Sequence, residues 1–336
     1  MEKHRVYKHR SRMIAALTLT VGLFGLFTSG AHVSAAPTST SNGLNTLKIS
    51  PVRTDIVVAP GKSEVVVMKI TNMTKAPMTI QAIENDFVAG DERGTPALIL
   101  DADKFAPTHS LKRYMTPIPN TTIAPGTTQE IKVSIKVPLD AKPGGYYGAV
   151  RFTPVSLGGA SSVSLNASAA SLVLMTVPGE IQEKLNLTKF DIKQGSKIDT
   201  IFQSANDLQL SFRLENTGSI QEGPFGNISV MQGDTVIYSY DFNNEIPREM
   251  VLPDSARVWD IPLKNIGSFG NYTIKATLSY GQKNQTIEVT KSFWVIPIAV
   301  IAVTVGGLLL LIAIIVAIRL FLQDYKKRIL KKHGRK

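Results

Sequence analysis

The sequence predicts an all-β protein, two tandem immunoglobulin-like β-sandwiches followed by one C-terminal transmembrane helix. Three observations predict it. Short stretches of apolar–polar alternation recur between Thr46 and Tyr280, separated by Pro-Gly, Asn-Thr and Gly-rich turns. No part of that interval carries the helical period for more than about two turns. A single uncharged apolar run, Phe293–Ile318, then precedes a basic terminus.

The N-terminus has the three zones of a secretory signal peptide. Met1–Arg12 carries Lys3, Arg5, Lys8, Arg10 and Arg12 against Glu2. Met13–Phe27 is apolar and uncharged, and Val33-Ser34-Ala35 is a small-x-small cleavage tripeptide. Residues 1–35 are therefore expected to be removed, and the Ser/Thr/Asn-rich stretch 36–45 reads as a flexible leader.

The first sandwich is expected over 46–179. Val66, Met68 and Ile70 alternate with Val65, Val67 and Lys69. Ile131, Val133, Ile135 and Val137 alternate with Glu130, Lys132, Ser134 and Lys136. Such period-2 runs are half-buried antiparallel strands. Turns at Ala59-Pro60-Gly61, Ala124-Pro125-Gly126 and Pro143-Gly144-Gly145 separate them. One stretch, 87–122, is long for a hairpin loop and reads as an insertion. The second sandwich, over 180–291, begins after Val177-Pro-Gly-Glu180. Its clearest strands are Leu208–Leu214 and Tyr272–Tyr280. The two units share a scheme of turns flanking alternating strands, without enough identity for a repeat.

The run 293–318 is long enough to span a hydrocarbon core of roughly 30 Å. Trp294 is placed at its outer end, where an indole favours the headgroup layer. In 319–336, Arg319, Lys326, Lys327, Arg328, Lys331, Lys332, Arg335 and Lys336 face the lone Asp324. Basic residues beside a span mark the cytoplasmic side, so the sandwiches are expected outside. The two ends account for the whole formal charge of +11, leaving a neutral exported part. That excludes a nucleic-acid reading, which needs cationic charge clustered on the binding domain. The chain has no cysteine, so its cores alone must supply its stability.

Little catalytic chemistry is available. Of five histidines only His109 lies in the exported part, in the insertion, where it reads as a solvated loop residue. One His and no Cys leave no common zinc site and no Ser–His or Cys–His pair except through His109. Asp86, Asp91, Glu92, Asp101 and Asp103 form a carboxylate cluster. Its oxygens suit Ca²⁺, but it lacks the alternating ladder with a glycine at the sharp turn. The expectation is therefore a non-enzyme without metal or cofactor. The seven Asn-x-Ser/Thr triplets, Asn72 among them, read as plain strand and turn residues.

Val58-Ala-Pro-Gly61, the strand end Thr71-Asn72, Ile123-Ala-Pro-Gly126 and Val137-Pro-x₄-Pro-Gly-Gly-Tyr-Tyr-Gly-Ala-Val-Arg-Phe152 resemble a family of Gram-positive surface proteins that partner WxL-domain proteins. The resemblance covers nearly the whole chain. It implies an N-terminal peptidoglycan-binding sandwich, a second sandwich, one membrane helix and a basic tail. The box Asp86-Phe87-x₂-Gly-Asp-Glu-x-Gly-Thr-Pro96 departs from the best-known members. The strand–Pro-Gly–strand opening also resembles the first domain of pilus chaperones, which donate a strand to client subunits; those chaperones are soluble, whereas this chain carries an anchor.

The expected function is thus a membrane-anchored surface protein that binds cell-wall polymer, another surface protein such as a WxL-domain protein, or both. The alternatives are a strand-donating chaperone and an accessory or sensor subunit of a membrane complex. The insertion is the expected partner surface, with Asp86, Asp91 and Glu92 as acceptors. Tyr146 and Tyr147 are placed beside it, one ring necessarily facing away from the core.

Overall fold

The computed structural model describes residues 46–155 and 168–333. The expected signal peptide and leader lie outside them. The described chain is mostly strand, arranged as tandem β-sandwiches with one C-terminal helix, as the alternation predicts.

In the first sandwich, a three-stranded sheet joins β1 (Leu47–Ser50), β3 (Ser63–Asn72) and β7 (Thr128–Lys136) in that order. The facing sheet runs β2 (Arg53–Val57), β9 (Ala169–Val177), β8 (Gly144–Pro154), β4 (Met78–Ala89) and β5 (Pro96–Leu98). The short β6 (Thr121–Ile123) also pairs with β4. The first stretch of chain serves both layers, since β1 pairs antiparallel with β3 and β2 pairs parallel with β9. The inward residues of the alternating runs meet between the layers. Met68, Ile70, Val133, Ile135, Phe152 and Val173 are fully buried, and Lys132 points to solvent.

In the second sandwich, one sheet is ordered β11 (Lys197–Ile198), β10 (Leu185–Gln194), β13 (Leu208–Asn216), β16 (Ser255–Pro262). The other is β12 (Ile201–Phe202), β18 (Gln285–Val295), β17 (Gly270–Tyr280), β14 (Phe225–Gln232), β15 (Thr235–Phe242). Its core is aromatic. Trp259 stacks on Phe212 at 5.4 Å and meets Phe242 edge-on at 5.2 Å; Tyr272 packs on Phe293 at 5.5 Å. Such pairs add about 0.5–1.5 kcal/mol each beyond their buried area.

A buried asparagine closes the same corner in both sandwiches. Asn72, at the end of β3, donates from Nδ2 to the carbonyls of Ala76 (2.8 Å) and Ile123 (3.0 Å), and its Oδ1 accepts the Thr74 amide. Asn216, at the end of β13, donates to the carbonyls of Ile220 (2.7 Å) and Val251 (2.9 Å), and its Oδ1 accepts the Gly218 amide. Both side chains are fully buried, and every bond replaces one lost to water. The shared turn scheme in the sequence is this corner.

Two expectations are corrected. Phe293–Val295 belongs to β18 rather than to the membrane helix, because Phe293 and Val295 face the core while Trp294 faces out. An apolar run cannot by itself separate a buried strand end from a helix start. The helix α1 (Ile298–His333) begins after Pro297, whose missing N–H costs nothing there. Over Ile298–Gln323 it is long and apolar enough to cross a membrane. The basic tail continues it as helix to His333.

Segment 87–122, expected as a long insertion, carries structure of its own. It holds the end of β4, the strand β5, a 3₁₀ turn at Lys112–Tyr114 and β6. His109, expected as a solvated loop residue, is half-buried; its Nδ1 lies 2.6 Å from the Gly145 carbonyl.

The inward register of β7 is testable. Val133→Asp should unfold the first sandwich, since an unpaired buried carboxylate costs about 3 kcal/mol or more. Lys132→Asp should change stability by about 0.5 kcal/mol or less. Denaturant melts of the two variants check this, and equal effects would mean that β7 is out of register.

Candidate binding cleft between the sandwiches

Three consecutive side chains of β4 hold the segment that follows it. Glu84 Oε1 accepts the Ile118 amide at 2.9 Å, and Asn85 Nδ2 donates to the Ile99 carbonyl at 2.8 Å. Asp86 accepts the amides of Ala106 and Lys112, each at 2.8 Å. Asp86 is fully buried and points into its own domain.

The β4–β5 turn reaches the other sandwich. Asp91 folds the turn by accepting the amides of Arg93 (2.8 Å) and Thr95 (3.0 Å), and these bonds, Thr95 foremost, hold its carboxyl below the usual range. The Glu92 carbonyl accepts the Val258 amide of β16 at 2.7 Å. The Glu92 carboxylate takes Nη2 of Arg213 at 2.8 Å and its Nε at 3.1 Å, and the bond from that guanidinium lowers its pKa. Arg93 reaches Asp260 at 2.6 Å. Gly94 lies flat against the Arg257 guanidinium at φ +88°, where any Cβ would collide with it.

Tyr147 makes a second contact between the sandwiches. It is buried, and its hydroxyl donates to Gln221 Oε1 at 2.9 Å. Burial pushes its pKa well up. The Gly145 amide donates to the Ser219 carbonyl at 2.8 Å. Phe87, Tyr147 and Leu174 pack against Met250 and Leu252 of the second sandwich. Tyr146 is the half-exposed ring. It lies 5.2 Å from Tyr114 and donates to the Lys142 carbonyl at 2.9 Å. Burial first, and Tyr114 second, push its hydroxyl up to about 12.

The five residues expected at the partner surface do not lie together. Asp86 and Tyr147 are buried inside the protein, whereas Asp91 and Glu92 are exposed. Asp91 serves its own turn, Glu92 serves Arg213, and Tyr146 rests on Tyr114. The carboxylates point in different directions and do not converge on a common point. Among the described residues, no group of three His, Asp or Glu could hold a metal ion.

The β4–β5 turn thus braces one sandwich against the other, and beside this brace lies a cavity of about 90 Å³. Phe87, Leu172, Leu174 and Met250 give it an apolar floor, and Arg53 and Arg257 stand at its sides. Arg53 is engaged by Asp55 (2.8 Å) and the Arg248 carbonyl (2.7 Å). Arg257 pairs with Glu249 at 2.6 Å and lies over Trp259, and burial lowers its pKa. Its Nε has no partner. Sequence reasoning missed this cleft because its walls come from strands far apart in the chain. Arg213, Asp260 and Gln221 carry no motif, and their roles follow only from which strands the fold brings together.

Close by, Glu222 is buried between its bridge to Val251 and the Gly281 backbone. Burial, with the Glu183 carboxylate as the second cause, raises its pKa to about 7.

No protein-family model matches the chain, and no curated protein matches it. Solved structures with a similar arrangement include three pilus chaperones. The class 5 fimbriae chaperone CfaA is 14% identical over 75% of this chain and 99% of its own, with a TM-score of 0.38. The E. coli chaperone DraB is 13% identical over 74% and 96%, with a TM-score of 0.32. The CsuC–CsuE chaperone–tip subunit complex of Acinetobacter baumannii is 12% identical over 72% and 97%, with a TM-score of 0.36. Likeness at this level carries no argument about function.

Replacing Asp91–Thr95 by a short Gly-Ser turn removes the brace. Both sandwiches should stay folded but melt as two separate calorimetric transitions, and the Val258 amide should lose its protection from hydrogen exchange. A single unchanged transition would show that the brace is dispensable.

Glu222 binds its proton more tightly folded, at about 7, than at its ordinary 4.5. Its contribution to stability is therefore greatest below 4.5 and is lost as pH rises to about 7. Glu222→Gln should be more stable than the parent at pH 8, by on the order of 2 kcal/mol, and equal to it near pH 4. Melting curves at the two pH values decide it.

Proposed function

We propose that this chain is a non-enzymatic, membrane-anchored cell-surface protein whose inter-sandwich cleft binds an extended segment of another surface protein. In this reading residues 1–35 direct export, α1 spans the membrane, the basic tail stays in the cytoplasm and the sandwiches stand outside. The observation that carries the reading is the cleft itself. Its apolar floor suits a peptide side chain, and the positive charge of Arg53 and Arg257 at its sides suits the carbonyl groups of an extended backbone. A hydroxyl-rich polymer would instead need an exposed aromatic platform and free acceptors. Of the tyrosines and carboxylates expected to supply them, Asp86 and Tyr147 are buried, Glu92 is held by Arg213 and Tyr146 leans on Tyr114. A WxL-domain protein is one partner of the proposed class.

A photo-crosslinking side chain placed at Leu172 in the full chain, in its own membranes, should give a discrete protein adduct. The same group at Thr290, on the outer face of the second sandwich, should give none. Leu172→Asp should weaken binding of the crosslinked partner by about tenfold or more, the loss expected for a central interface position. Equal labelling from both positions, or adducts only with peptidoglycan, would overturn the proposal.

A further inference from the structure

β18 runs into α1 with only Ile296 and Pro297 between them. Two residues of extended chain reach about 7 Å. The headgroup layer on each side of a bilayer is roughly as deep. If α1 spans, the end of the second sandwich at Val295 therefore lies at the membrane surface.

The register identifies which residues share that end. Gly270 pairs with Val295, so Phe269 lies just beyond the same edge. Ile201 sits beside Trp294 in the parallel β12–β18 pair, tied by the Trp294 amide to the Thr200 carbonyl at 2.7 Å. The outward residues of β18 read Thr286, Glu288, Thr290, Ser292 and Trp294. They are polar along the strand and turn apolar only at the last position before the helix. Phe293, Val295 and Phe202 are buried, so Trp294 and Ile201 face out because their neighbours must face in. Trp294 is 44% exposed, Ile201 52% and Phe269 53%. Large apolar side chains gathered at one edge of an otherwise polar face mark a contact surface.

We infer that Trp294, Ile201 and Phe269 form a membrane-contact surface, seated in the headgroup layer of the bilayer that α1 crosses. The inference rests on the anchoring reading of α1. Charge does not drive the contact. Lys197 is paired with Asp199 at 2.8 Å, and Asp207 and Asp234 on neighbouring loops outweigh Lys264. The attraction is that of an indole and two apolar side chains for the interface, so it is independent of anionic lipid.

Tryptophan fluorescence tests this directly, because the chain has two tryptophans and Trp259 is buried in the core. The full chain is reconstituted into phosphatidylcholine vesicles containing brominated acyl chains, and alkali-resistant flotation is measured on the same samples. Trp emission should be quenched by the brominated lipid and shielded from aqueous iodide. Trp294→Phe should abolish the lipid-quenchable component. Ile201→Ser with Phe269→Ser, both at exposed positions, should expose Trp294 to iodide. Adding phosphatidylglycerol should leave the quenching unchanged. Protein that floats, but whose Trp294 is open to iodide and blind to brominated lipid, would overturn the contact surface and leave the anchor standing. Protein that fails to float would overturn both. Quenching that appears only with phosphatidylglycerol would overturn the uncharged contact.

Discussion

The docking of the β4–β5 turn on the second sandwich sets the geometry on which the cleft depends. Two ion pairs are its most visible part, Glu92 with Arg213 and Arg93 with Asp260, but each has a largely exposed member. Such pairs contribute about 0–1 kcal/mol each. More of the constraint comes from groups without charge. The Val258 amide is satisfied by the Glu92 carbonyl, and Phe87, Tyr147 and Leu174 bury apolar surface against Met250 and Leu252. Gly94 permits the close approach, because a side chain there would meet the Arg257 guanidinium at a left-handed backbone angle. The charges add orientation to a contact that packing and a backbone hydrogen bond already favour.

The chain reaches this architecture without a single disulfide. Its substitutes are buried polar groups with complete sets of partners. Asn72 and Asn216 each cross-tie a strand end to two carbonyls, and Asp86 takes two amides of the segment folded over it. Removing any of these would leave several backbone groups unsatisfied at once, at about 1–3 kcal/mol per group. This is why the segment between β5 and β6 has a defined course although it contains little regular structure.

The carboxylates of the Asp86–Pro96 box show why a motif's chemistry does not announce its role. A cluster of acids in a long segment reads equally well as a calcium loop, a sugar-binding surface or a partner site. In the folded protein the first closes its own domain, the second folds a turn and the third reaches across to another sandwich. Each task uses the same property, an acceptor with several lone pairs. Which task a carboxylate performs depends on the donors that the fold places around it.

Strand identity and facing were legible in the sequence wherever alternation was strict. Val66, Met68 and Ile70, Val133 and Ile135, and Leu208, Leu210, Phe212 and Leu214 all point inward, because a period of two leaves one face to the core. The turn scheme, the balance of charge between Met13 and Ile318 and the long apolar run near the C-terminus could equally be read from the chain alone. The tertiary structure alone decided where that run changes from strand to helix, since Phe293 and Trp294 are distinguished by what packs on them and not by hydrophobicity. It also decided that Tyr147 is inside and Tyr146 half outside. Arg213, Asp260 and Val258 meet the 90–95 turn across more than a hundred residues of chain. No local pattern encodes such a meeting, because the free energy that selects it belongs to the packed pair of sandwiches and not to either segment alone.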